Sequence, residues 1–175
     1  MTRQSELEIR KASEVRSQGR TLTGYVAKFN SETRIGRYRE IIAPGAFTDS
    51  LNSGADILAL ADHDTNAVIG RSKSGTLTLT EDSEGLAFTL NVPNTTRGND
   101  ILELAQRNDL GGMSFGFRVR ENGDTWDGDL RTLRNVDLFE VSVVSAHPAY
   151  GETSISVRSK PRLYVHTGND WLDTV

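Results

Sequence analysis

Apolar and polar residues alternate over short runs along most of this chain, and glycine, proline, asparagine or aspartate closes the runs. Period two puts successive side chains on opposite faces of a strand, so this patterning commits the chain to sheets. In residues 21–29 (TLTGYVAKF), Tyr25, Ala27 and Phe29 share one face, and Leu22 and Val26 share the other. Residues 39–42 read as a second strand, stopped at Pro44-Gly45. Residues 46–52 read as one or two helical turns closed by Gly54. The apolar run 56–60 (DILAL) leads into Ala61-Asp62-His63-Asp64. The clearest hairpin follows. Leu77 and Leu79 alternate on one arm, and Leu86, Phe88, Leu90 and Val92 on the other, around the turn EDSEG. From residue 113, Met113, Phe115, Phe117 and Val119 point one way; Ser114, Gly116, Arg118 and Arg120 point the other. Residues 137–145 (DLFEVSVVS) form a valine-rich strand before Pro148, and Ile155 and Val157 suggest a last short one.

A single long stretch departs from this rule. In residues 99–110, Ile101, Leu104 and Ala105 follow the helical period, Asn99 or Asp100 can cap the start, and Gly111 stands at the C-cap position. Residues 121–131 carry turn chemistry, including Asn122-Gly123 and Asp127-Gly128. About seven strands, one clear helix and a short second helix result, with no alternating βαβ rhythm. The expected class is α+β, a mostly antiparallel small β-barrel. Residues 1–20 are expected as a mobile or loosely attached start, or an edge strand; 21–160 as one folded domain; and 161–175 as a C-terminal tail.

The length of 175 residues suits one domain. The absence of cysteine excludes disulfides, thiolate metal sites and a cysteine nucleophile. A net charge of −4 gives no reason to expect nucleic acid as a partner. No stretch approaches the roughly 20 apolar residues of a membrane span, so a soluble, intracellular protein is expected.

Three positions invite chemistry. Ser114 lies in LGGMSFGF, where Gly111, Gly112 and Gly116 let another backbone approach its hydroxyl. On its local sequence alone it also reads as a plain serine on a strand face. His63, between Asp62 and Asp64, has three readings: a surface loop residue, a general base, or a metal ligand with its aspartate neighbours. His147 and His166 lie far along the chain. Glu140 sits inside LFEVSVV, where a carboxylate needs a partner. Either an imidazole N–H or one of Arg118, Arg120, Arg131 and Arg134 can serve.

From about Thr21 to Ser159 the chain resembles the prohead protease of tailed phages. The resemblance rests on LTGYVAKFN, EIIAPGAF, LADHD, IGRSKSGTLTLTEDSEGLAF, DLGGMSFGF and DLFEVSVVSAHPAYGETSISVRS, in that order. It implies a serine endopeptidase domain over 21–160, sharing its fold with herpesvirus maturation proteases. It places the family's histidine, serine and acid on His63, Ser114 and Glu140. His147 is the minor alternative for the third member, because the herpesvirus enzymes use a histidine there. Oxyanion donors are expected near Gly112–Gly116 or in the segment 69–71. The resemblance implies no metal or organic cofactor. The partners it implies are the major capsid protein with its scaffold segment, the protease itself as a further substrate, and self-association as a dimer. The implied place of action is the host cytoplasm, inside the assembling procapsid. The rival readings are an inactive capsid-assembly or scaffold protein of the same fold, and a metal-dependent hydrolase.

Overall fold

A computed structural model describes residues 7–12 and 14–146. Its strands form three sheets. The first contains, in spatial order, β1 (Glu8–Ala12), β10 (Gly112–Val119), β13 (Val136–Val144), β6 (Leu58–Ala61) and β7 (Asp64–Arg71). The second contains β11 (Asp124–Asp127), β12 (Leu130–Leu133), β5 (Tyr38–Ile42) and β4 (Thr33–Ile35). The third contains β2 (Glu14–Gln18), β3 (Thr21–Lys28), β9 (Gly85–Asn91) and β8 (Leu77–Glu81). Two helices complete the described residues, α1 (Thr48–Asn52) and α2 (Thr96–Gln106).

The expected barrel is therefore corrected. The fold is mostly β with two helices, but each sheet ends in unjoined edge strands and none closes on itself. Alternation places every second side chain inward whether a sheet curls shut or stacks on another, so the pattern is blind to closure. Most pairings are antiparallel, as expected, with β13–β6 and β12–β5 parallel. The strands number thirteen among the described residues, against about seven expected. The surplus includes β11 and β12, a hairpin turned through Gly128 (φ 59°) within a region that reads as loop.

Helix α2 also begins earlier than expected. Thr95, extended at φ −121° and ψ 166°, accepts from the Gly98 N–H and is the N-cap in place of Asn99 or Asp100. At the other end Asn108 takes the left-handed conformation (φ 58°), while Gly111 donates its N–H to the Val144 carbonyl. Asparagine tolerates that conformation and so displaces the glycine as terminator. Pro148, Ile155 and Val157 lie outside the described residues.

One core draws on all three sheets. A chain of rings runs from Phe29 to Phe47, Phe115 and Phe117, with centroids 6.5, 5.7 and 5.4 Å apart. Each fully buried ring contributes about 1.5–3 kcal/mol of transfer free energy. On β10, Met113, Phe115 and Phe117 face this core, as the alternation requires. Its opposite face is buried at Ser114, which has no exposed surface, and opens to solvent at Arg118. Helix α1 is fixed to β13 through Ser50, whose hydroxyl accepts the Leu138 N–H at 2.8 Å.

The described part of residues 1–20 forms edge strands of two different sheets. Two of its charged side chains, Glu8 and Arg10, which suggest solvent when read alone, find opposite charges instead. The Arg10 guanidinium pairs with Glu40 and Glu8, and Arg131 pairs with Glu8, Glu40 and Asp124. Glu40 is 3% exposed and Arg131 8%, so this cluster ties β1 to the second sheet beneath the surface.

Burial pushes the Glu8 carboxyl up, but Arg131 and Arg10 outweigh it and hold the group below its ordinary 4.5. A depressed carboxyl stabilises the fold above its unfolded value and loses that contribution as pH falls through the folded one. Melting temperature is therefore expected to fall on acidification below about 4.5, and Glu8→Gln is expected to flatten that dependence. Thermal melts on both proteins across this range check it; identical slopes would count against the assignment.

Candidate active site

The first sheet gathers the three positions that the sequence singles out. His63 arrives on the β6–β7 hairpin, where Ala61 pairs with Asp64 and leaves Asp62-His63 as a two-residue turn. Both have positive φ, 49° and 61°. This is the type I′ arrangement, usually made by Asn-Gly. Aspartate and histidine tolerate it better than most residues, at about 1 kcal/mol or more each. Bonds to β13 and its end hold the turn. The Asp62 N–H donates to the Val143 carbonyl at 2.9 Å. The Asp62 carboxylate accepts from the Ser145 N–H at 2.7 Å and the Ser145 hydroxyl at 2.8 Å. The His63 N–H donates to the Ser142 hydroxyl at 3.2 Å.

Glu140 and Ser142 stand two residues apart on β13 and so share a face. Glu140 Oε1 lies 2.8 Å from His63 Nδ1, and the Ser142 hydroxyl donates to Glu140 Oε2 at 2.7 Å. None of the four candidate arginines takes this carboxylate. Arg118 covers the Phe139 ring, Arg120 pairs with Asp137 and Asp49, and Arg131 pairs with Glu8, Glu40 and Asp124. Arg134 donates to Thr125. An ionised carboxylate only accepts, so Nδ1 carries the proton and the lone pair of a neutral imidazole lies on Nε2. Nε2 is buried with no hydrogen-bond partner among the described residues.

Ser114 lies on β10 directly opposite Ser142, which places it on the same face as Glu140. Its hydroxyl donates to the Arg10 carbonyl on β1 at 2.7 Å, not to His63. The structure thus joins His63 to Glu140, and sets Ser114 on their face with its hydroxyl turned to β1.

Gly116 is opposite Glu140, and a Cβ built there would fall 2.7 Å from Glu140 Oε1 and 3.2 Å from its Cγ. The glycine makes room for the carboxylate. Gly116→Ala is expected to displace Glu140 from Nδ1 and to lower turnover roughly 10-fold or more, since a misplacement of about 1 Å costs up to 10²-fold. Steady-state kinetics on the folded variant check this, with unchanged turnover the contrary result.

Ser142, Asp62 and Gly116 are the contributors that the sequence reading passes over in these roles. A signal existed for Ser142: a hydroxyl in a valine run must be bonded, and period two puts it beside Glu140. Asp62 and Asp64 do not converge with His63, because Asp62 turns to Ser145 and Asp64 accepts from the Asn66 N–H. No group of three histidine, aspartate or glutamate side chains suited to a metal occurs among the described residues. Of the expected oxyanion segments, Arg71 is paired with Asp56 at 3.1 Å, and β10 is paired on both sides. His147 and His166 lie outside the described residues.

The geometry therefore couples an imidazole to a carboxylate on the face of the sheet that carries a buried serine, whose own hydroxyl bonds to β1. The family model for the caudovirus prohead serine protease matches residues 5–165, and the chain belongs to that family. This makes it a serine protease of bacteriophage capsid maturation. No curated protein and no solved structure matches the chain, so the expected likeness to herpesvirus proteases has no structural counterpart among them. No helix among the described residues is long and apolar enough to cross a membrane.

Proposed function

We propose that this chain is an endopeptidase that cuts the scaffold segment of the major capsid protein, and itself, with Ser114 as nucleophile, His63 as general base and Glu140 as the residue that orients His63. The observation that carries this reading is the 2.8 Å contact between Glu140 and Nδ1, which leaves the Nε2 lone pair without a partner. Nε2 takes the Ser114 proton as Oγ attacks the peptide carbonyl. Glu140 stabilises the imidazolium, which then protonates the leaving amine. Water, deprotonated by the same nitrogen, hydrolyses the acyl-enzyme and restores Ser114. These steps require no metal or organic cofactor. The work is done inside the assembling procapsid, in the host cytoplasm, and self-association of copies there raises activity.

Prolonged incubation with a fluorophosphonate tests the nucleophile. The expected result is a single adduct on the peptide that contains Ser114, with capsid-segment cleavage lost in proportion. Cleavage that persists in fully modified protein, or an adduct on another serine that accounts for the loss, would refute it.

A further inference from the structure

The most informative contact outside the candidate triad is the one that occupies Ser114. Its hydroxyl donates to a main-chain carbonyl, that of Arg10, in an extended strand paired antiparallel to β10. Lys11 stands opposite Ser114, Arg10 opposite Phe115 and Ile9 opposite Gly116. Ser114 has no exposed surface in this arrangement. The strand on the other side of β10 is β13, which holds Glu140. β1 is therefore the only partner that can leave β10 without dismantling the candidate triad.

The attachment of β1 is suited to exchange. Ile9 is half-buried, and no residue of β1 whose side chain is described belongs to the core cluster. Besides its backbone pairing with β10 and the Arg10 guanidinium over the Phe117 ring at 5.3 Å, ions hold the strand: Arg10 to Glu40 and Glu8, and Glu8 to Arg131. A buried carboxylate left without a cation would oppose release. Glu40 avoids that state, because Arg131 lies 3.2 Å from it and belongs to β12, which stays behind. Asp124 likewise remains on Arg131 when Glu8 departs. Departure of β1 turns β10 into an edge whose alternate N–H and C=O groups lack partners, a template for another extended chain. Some of those N–H groups lie next to Ser114, where an oxyanion needs donors.

We propose that the β1-facing edge of β10 is the docking surface for an extended segment of the polypeptide substrate, and that β1 fills it in the free chain as an intramolecular stand-in. The inference rests on Ser114 being the nucleophile. Main-chain pairing provides the grip, as in other strand-addition complexes, and places a substrate carbonyl where that of Arg10 now sits. The free chain is latent because Ser114 is covered, and the cluster of Glu8, Arg10, Glu40 and Arg131 is the clamp.

The test reads the initial rate of Ser114 modification by a fluorophosphonate, together with amide hydrogen exchange over residues 8–12, in the full chain. Glu40→Gln weakens the clamp without touching His63, Ser114 or Glu140; it is expected to speed exchange in 8–12 and to raise the modification rate about 10-fold, or about 1.4 kcal/mol. A second variant, Ala12→Cys with Met113→Cys, locks the strand, since these residues are register partners at a spacing a disulfide can bridge. Oxidation is expected to stop modification, and a reducing agent to restore it. Equal rates in the oxidised and reduced protein would overturn the inference while leaving the nucleophile in place. Faster exchange in Glu40→Gln with an unchanged modification rate would do the same. No modification of Ser114 in any form, the reduced one included, would remove the nucleophile, and the docking surface with it.

Discussion

Ser114→Ala is expected to abolish cleavage of the capsid segment, with turnover reduced about 10⁶-fold, the scale seen when a triad serine is removed. Among the described residues, the hydroxyl bonded to His63 and Glu140 is that of Ser142. The Ser142 hydroxyl already donates to Glu140 Oε2 and accepts the His63 N–H. Ser142 stands on β13, across β10 from β1. The structural cost should be small by comparison. The variant loses one hydrogen bond, to the Arg10 carbonyl, and a typical one contributes about 0.5–1.5 kcal/mol net. Melting temperature should therefore drop by only a few degrees. Both quantities are measured on the same preparation. Cleavage at the normal rate by a variant confirmed by mass would exclude Ser114 from the chemistry.

Glu140→Gln is expected to lower turnover roughly 10²-fold or more, short of the 10⁴-fold loss known for the equivalent change in a well-studied triad. The hydrogen-bond geometry gives the mechanism. An amide has one acceptor end and one donor end, and its two neighbours both donate now. If the amide oxygen faces Nδ1, its NH₂ faces Ser142, whose hydroxyl must then give up its present donation. If the oxygen faces Ser142, the NH₂ faces Nδ1 and forces the imidazole proton onto Nε2. That tautomer cannot accept the serine proton. The negative charge that would stabilise the imidazolium is lost in either case. The fold should tolerate the change, because Glu140 is bound to a histidine and a serine rather than to an arginine. A large fall in melting temperature with normal turnover in the folded fraction would assign Glu140 a structural role and turn attention to His147.

The strands and faces around the site were legible because they are local. The alternation through Met113–Val119 assigns Ser114 and Gly116 to the face opposite the phenylalanines, as observed. The valine-rich run at 137–145 marks β13, and the carboxylate inside it announces a need for a partner. The identity of that partner was not legible. Four arginines and an imidazole were all available by sequence, and the choice depends on the β6–β7 turn delivering His63 over β13. Nor was it legible that Glu8 and Arg10, which read as surface charges, meet Glu40 and Arg131 below the surface, because those partners are 30 or more positions away.

Taken alone, the sequence determined a strand-dominated chain, its turns, the position of its one long helix, the positions worth testing and, through six ordered blocks, the family. The tertiary structure decided the rest: three open sheets instead of a barrel, Glu140 on His63, and β1 laid across Ser114. The division follows from the physics of strands. A period of two tells which way a side chain points, and a local run of residues suffices to set it. Which strand lies alongside is a pairing between distant segments, settled only when the whole chain satisfies its backbone bonds and buries its charges in pairs.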